Sequence, residues 1–189
     1  GKKVSQALAR ILKTAGVKVA ILGPEEVSSG DAARRLGNEY LFQELARQNI
    51  EALTAAGARR ILTGCPHCLK TIGDDYRAFG YEAEVVHTAV FVAGLRGVEP
   101  VPATYAAMPA TVVYHDPCYL ARYAGHHREA RALLARVGAQ VREPIRSGAN
   151  PFCCGAGGGL LFEEHEEGTR ISQARFDQLR ATGAGTIVT

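Results

Sequence analysis

The apolar residues of this chain fall into short blocks whose spacing switches between the helical and the extended period. In KKVSQALARILKTAG, Val4, Leu8, Ile11 and Leu12 recur on one helical face, and Gly16 ends the pattern. VKVAILG is a short apolar run stopped by Gly23 and Pro24, which predicts a buried strand. NEYLFQELARQNIEALTAAG predicts a long amphipathic helix, with Asn38 placed to cap it. RRILTG predicts a strand, AEVVHTA a strand running into a helix, and ATVVYHDPC a further strand. HREARALLARVG reads as helix, AQVRE as strand, RISQARFDQLRATGAG as helix and TIVT as strand. Pro100, Pro102 and Pro109 mark a linker. Strands alternating with helices predict an α/β fold with mainly parallel sheets, in two tandem, pseudo-symmetric βα units at residues 1–95 and 111–189.

Ligands of such sheets collect at the carboxyl ends of strands. Cysteines stand there: Cys65 directly follows RILTG, and Cys118 lies just beyond TVVYH. Five cysteines in 189 residues is an odd number for a disulfide framework, and their clustering fits a reducing, cytoplasmic setting in which thiols serve metals or redox chemistry. The formal net charge of +3 is too small to argue for nucleic acid, and no basic stripe is interleaved with aromatics. No apolar run reaches the roughly 18 residues of a membrane span. GKKVSQALARIL is basic but amphipathic, without the apolar stretch of a secretory signal.

The chain repeats itself. GARRILTG (57–64) resembles GAGTIVT (183–189), and SSGD (28–31) takes the place that CCGA (153–156) takes in the second half. The interval from Ser29 to Cys65 is 36 positions, and that from Cys118 to Cys153 is 35. The spacing predicts a matching cysteine before Gly1 and a second Cys-x-x-Cys beyond Thr189. This stretch alone is then expected to hold little intact cluster.

CPHC (65–68) by itself leaves three uses open: zinc, an iron–sulfur cluster, or a redox disulfide like those that stand at helix starts. The adjacent Cys153 and Cys154 crowd the tetrahedral shell of one zinc ion. They suit a multi-iron cluster, whose metals are spread over several ångströms. The GAGGG that follows lets backbone amides approach cluster sulfides. The candidate ligands are Cys65, Cys68, Cys118, Cys153 and Cys154.

With Cys-x34-Cys-Cys-Gly as its core, and with GDAARRLGNEYLFQELA, TGCPHCLKTI, YHDPCYLARY and FCCGAGGG around it, the chain resembles the cysteine-rich CCG domain. That domain occurs in the cysteine-rich subunit of heterodisulfide reductase and in iron–sulfur subunits of glycerol-3-phosphate, glycolate and lactate dehydrogenases. The motifs look most like the membrane-associated branch that passes electrons from electron-transfer flavoprotein to quinone. The resemblance implies a [4Fe-4S] cluster, noncubane where five cysteines gather, held by Cys118, Cys153 and Cys154 in the second unit and by Cys65 and Cys68 in the first. It implies a redox-protein donor, a quinone or disulfide acceptor, and membrane contact only through other parts of a longer protein, on the inner face. The chain departs from the branch at Ser28, where the branch carries cysteine. Serine oxygen is a hard, weak partner for iron, so the first unit is expected to hold a labile cluster, a three-iron form or none; the other reading of Ser28 is a plain turn, with Ser29-Gly30-Asp31 capping the next helix.

Other polar residues have two readings each. His67 is a hydrogen-bond donor to a cluster or a polar loop residue. His115 and Asp116 handle protons or fix the loop before Cys118. His126 and His127 are expected in solvent at a helix start, and His165 on an exposed acidic face. Arg34 and Arg35 offset cluster charge or form surface ion pairs. A zinc-stabilised scaffold and a dithiol oxidoreductase acting through Cys65 and Cys68 stand as the alternative functions.

Overall fold

A computed structural model describes residues 1–95, 111–162 and 168–189 of the chain. The proline linker and His165 lie outside the described residues. The first unit runs α1 (Lys2–Thr14), α2 (Asp31–Arg35), α3 (Glu39–Ala55), β1 (Arg60–Thr63), α4 (Pro66–Gly73), β2 (Glu84–His87) and α5 (Thr88–Gly94). The second runs β3 (Thr111–Tyr114), a π-helical turn (Tyr119–Tyr123), α6 (Glu129–Arg136), β4 (Gln140–Arg142), α7 (Ile171–Arg180) and β5 (Ile187–Val188).

Among the described residues every strand pairing is parallel. β1 pairs with β2, Ile61 opposite Val85, and the second sheet has the order β4-β3-β5. The predicted α/β class with parallel sheets is therefore the observed one. The central strand β3 is covered on both faces, which is why TVVY is a continuous apolar run: Val112 and Val113 are completely buried. The first core gathers Phe42, Ala46 and Leu53 of α3 with Tyr76 and Tyr81, and the second gathers Val112, Tyr114, Leu134 and Ala139.

Asn38 caps α3 as expected, its Oδ1 accepting the Leu41 amide at 3.1 Å. The strand expected at VKVAIL does not form. Residues 17–22 are irregular, with Val19 55% and Ile21 85% exposed. Backbone that reads as a strand needs a ladder partner, and no strand among the described residues lies beside this one.

The two segments that match in sequence also match in form. β1 and β5 each follow a helix through a Gly-Ala turn, with φ 64° at Gly57 and 69° at Gly183. Their pairing differs: β1 joins the later strand β2, whereas β5 joins the earlier strand β3.

Candidate metal centre

β3 ends at Tyr114 and delivers His115-Asp116-Pro117-Cys118 to the carboxyl edge of the sheet. Asp116 is fully buried and acts as a clasp. It takes Nη1 and Nη2 of Arg131 at 2.7 and 2.9 Å, and the Gly148 amide at 2.8 Å. Arg131 also holds Glu143 at 2.6 and 2.7 Å; these bonds to Asp116 and Glu143 raise its pKa further and keep it charged. The clasp ties β3, α6 and the loop leading to Cys153 together. Of the two readings for Asp116, loop fixing is the one the geometry shows.

His115 is tied in the same way. Its Nδ1 accepts from Arg175 Nε at 2.9 Å, and burial followed by the Arg175 charge lowers its pKa. Arg175 is 2% exposed and also reaches the Arg146 carbonyl at 2.9 Å, linking α7 to the same loop. Arg122 completes the frame by donating to the Pro151 carbonyl, two residues before Cys153, at 2.6 Å. Arg131 and Arg175 carry no motif and were not among the sequence candidates. Their one signal was a basic residue on the inward face of a predicted helix.

Cys118 caps the π-helical turn and is half-buried, as are Cys153 and Cys154. Burial raises the Cys118 pKa first, and the nearby Cys153 and Cys154 raise it further. The fold thus carries Cys118 into electrostatic reach of a cysteine pair 35 positions away. Gly155 shapes the cradle beside them. Its φ is +78°, and a Cβ there would stand 2.8 Å from the Ser172 amide nitrogen and 3.0 Å from Ile171 Cβ. Cys154, Gly155, Ala156, Arg170, Ile171 and Ser172 border a cavity of about 90 Å³. Among the described residues, no group of three or more His, Cys, Asp or Glu side chains is drawn together closely enough to hold a single metal ion. The donor set is soft sulfur beside open backbone, which fits an iron–sulfur cluster in kind.

In the first unit, Cys65 is exposed and caps α4, with Pro66 at the first helical position; Cys68 is half-buried one turn on. The hydrogen bond from Cys68 pulls the Cys65 pKa down to about 5, assisted by the backbone amides of Cys68 and His67. The same bond drives the Cys68 pKa up. Cys68 Sγ also lies 3.4 Å from Ser29 Oγ, within hydrogen-bond reach. The exposed Ser28 side chain accepts the Gly30 amide at 3.2 Å, which is the turn reading of that residue. Ser29, buried, is the hydroxyl that meets Cys68.

His67 bridges the units. Its Nδ1 lies 2.7 Å from Asp31 Oδ2, and this bond raises its pKa against the opposing effect of burial. Burial works against the Asp31 carboxylate, but the His67 hydrogen bond and charge prevail and lower its pKa. The His67 ring stacks on Tyr119, with centroids 4.0 Å apart and planes 24° apart, and Gly157 packs near its Cε1. Arg35 joins Asp31 at 3.1 Å and Asp75 at 2.9 Å, and lies over the Tyr119 ring; Arg34 pairs with Asp75 and lies over Phe42. Asp31 and Tyr119 organise this contact and were missed, because neither residue type signals such a role from spacing alone. His126 pairs with Glu129 at 2.9 Å, whereas His127 is half-buried rather than in solvent, its Nδ1 enclosed without a partner among the described residues.

The comparisons with known proteins agree with this picture. The chain is 40% identical over 193 residues to the probable iron–sulfur-binding oxidoreductase FadF of Bacillus subtilis, covering 98% of this chain and 26% of that protein. It is 37% identical over 195 residues to the EtfAB:quinone oxidoreductase of Syntrophomonas wolfei, covering all of this chain and 27% of that protein. It is 36% identical over 185 residues to one subunit of the dihydromethanophenazine:CoB–CoM heterodisulfide reductase of Methanosarcina mazei, covering 94% of this chain and 45% of that polypeptide. The chain thus spans about a quarter of the length of the first two relatives. No solved structure matches it. The cysteine-rich domain family matches residues 1–73 and again 112–189, the two stretches that carry the paired cysteine sites, and the chain belongs to that CCG family.

Proposed function

We propose that this chain is an iron–sulfur electron-transfer module of an oxidoreductase, with its cluster held in the second unit by Cys118, Cys153 and Cys154. The observation that carries this reading is the tie between the two cysteine-bearing segments: Arg122, on the turn that Cys118 caps, donates to the Pro151 carbonyl two residues before Cys153, beside the Gly155 cradle. The relatives' names point the same way, since they describe iron–sulfur oxidoreductases and part of a heterodisulfide reductase. A [4Fe-4S] cluster bound there would supply one-electron chemistry at low potential. The chain's own residues do the rest. The Asp116–Arg131 clasp fixes the turn that carries Cys118, Arg122 and Arg175 fix the loop that carries Cys153 and Cys154, and the glycines leave amides free to face sulfur.

The donor in this reading is an electron-transfer flavoprotein or another redox protein, and the acceptor is a quinone or a disulfide. None of the helices among the described residues is long and apolar enough to cross a membrane. Association with the inner face of a membrane is assigned to other parts of a longer protein, in keeping with a relative named as a probable membrane-anchored ferredoxin.

Anaerobic reconstitution with iron and sulfide tests the reading. Bound iron and sulfide in equal amounts, with a visible thiolate-to-iron absorption band that Cys118→Ser and Cys154→Ser each abolish, is the expected result. A colourless protein that retains stoichiometric zinc in place of iron would establish the structural-zinc alternative instead.

A further inference from the structure

The two units share one turn but not its chemistry. Gly30 and Gly155 have φ of 80° and 78°. Ser28 Oγ accepts the Gly30 amide at 3.2 Å, just as Cys153 Sγ accepts the Gly155 amide at 3.3 Å. The backbone of the Cys-Cys-Gly turn is therefore kept at 28–30, with both thiols exchanged for hydroxyls. Hydroxyl oxygen is a poor ligand for the soft sites of an iron–sulfur cluster. Cys68 thus meets the Ser29 hydroxyl where the second unit has Cys154 at the matching turn position.

Cys65 and Cys68 span the first turn of α4. Cys65 sits at the cap in extended backbone (φ −106°, ψ 116°) and is exposed; Cys68 lies behind it, half-buried against Ser29 Oγ. An exposed attacking thiol backed by a less accessible resolving thiol, three residues apart at a helix start, is the arrangement of dithiol exchange centres. His67, between them, is held by Asp31 and stacked on Tyr119.

We propose that Cys65 and Cys68 form a reversible dithiol–disulfide couple that exchanges with small organic disulfides. The Cys65 sulfur attacks one sulfur of the substrate disulfide, the S–S bond breaks, and the first half leaves with the bonding pair as a thiolate, which takes up from solvent the proton that Cys65 has released. The Cys68 sulfur then attacks Cys65 in the mixed disulfide, and the second thiol leaves with the Cys68 proton. The Cys65–Cys68 bond forms, the protein pair has lost two electrons, and the substrate has gained them as two thiols. A reduced dithiol runs the sequence backwards. The couple's place as a two-electron centre beside a one-electron centre rests on the function proposed above; the exchange itself does not.

The test treats the reduced protein anaerobically with oxidised glutathione, alkylates the remaining thiols and maps them by peptide mass spectrometry. Cys65 and Cys68 should lose alkylation together and first, through a bond between them. Cys68→Ser should stall as a glutathione adduct on Cys65, and Cys65→Ser should leave Cys68 unreacted on the same timescale. Adducts spread evenly over all five cysteines would overturn the proposal, as would a Cys68→Ser variant with no Cys65 adduct. So would reconstituted iron and sulfide that Cys65→Ser and Cys68→Ser each remove. The Cys65→Ser/Cys68→Ser double variant separates the two readings: second-unit iron is retained in it if the electron-transfer reading holds, whatever the outcome with glutathione.

Discussion

Replacing Asp116 by asparagine removes the charge at the centre of the clasp while keeping its shape. The native carboxylate accepts three hydrogen bonds, two from Arg131 and one from the Gly148 amide, and is fully buried. An asparagine accepts through one oxygen only, and its NH₂ group then faces donors. Removing one partner of a buried ion pair costs about 3–5 kcal/mol, mostly because the other charge is left uncompensated. Arg131 is 22% exposed and keeps Glu143, so the loss falls at the low end, about 3 kcal/mol. Equilibrium urea unfolding reads this as a fall of about 1–3 M in midpoint at unchanged slope, for slopes of about 1–3 kcal/mol/M. In a double-mutant cycle with Arg131→Met, the second substitution should add little to the first, giving a coupling of about 1–3 kcal/mol. Cys118 should also alkylate faster in Asp116→Asn, because the clasp holds its turn. A loss below about 1 kcal/mol with an additive cycle would refute the clasp.

Two further substitutions probe backbone and titration. Gly155→Ala combines left-handed backbone with a Cβ 2.8 Å from the Ser172 nitrogen, so it should cost about 2–4 kcal/mol. Gly80→Ala, at φ +76° in open space, carries only the conformational part, about 1–2 kcal/mol, and thermal unfolding of the two variants side by side gives the difference. His87 is buried as the neutral ring, its Nδ1 accepting the Ala89 amide and its Nε2–H donating to the Gly64 carbonyl, both at 3.2 Å. Burial lowers its folded pKa, so its contribution is fully present above the unfolded value of about 6.5. As pH falls below that value, the unfolded chain binds a proton that the folded chain resists, and the contribution is lost. The drop in stability between about pH 7 and pH 5 should be smaller in His87→Gln than in the parent; equal slopes would show that His87 does not titrate as argued.

Much of the site was legible because metal chemistry restricts residue types. A cysteine after a strand, a Cys-Cys pair before glycines, and a repeat at near-equal spacing are all local patterns. Ser28 and Ser29 show the limit of that reading. Sequence position puts Ser28 in a ligand's place, and only the turn geometry sends Ser28 Oγ to the Gly30 amide and brings Ser29 Oγ to Cys68. His127 shows it again, since a histidine at a helix start reads as solvated until the loop at Gly148 packs over it.

By itself the sequence determined the order of helices and strands, the parallel α/β class and the edge on which the cysteines lie. Periodicity and capping act within a few residues, and the carboxyl-end rule follows from strand direction alone. Tertiary structure decided which of those elements had partners. The apolar run at 17–22 has strand chemistry but no neighbouring ladder, whereas TVVY, flanked by β4 and β5, became the buried centre of a sheet. It also decided what holds the cysteines in place. Arg131 on Asp116, Arg175 on His115, and Tyr119 on His67 join residues 15, 60 and 52 positions apart. Such contacts depend on where side chains meet after the backbone has folded, and no short-range pattern records that.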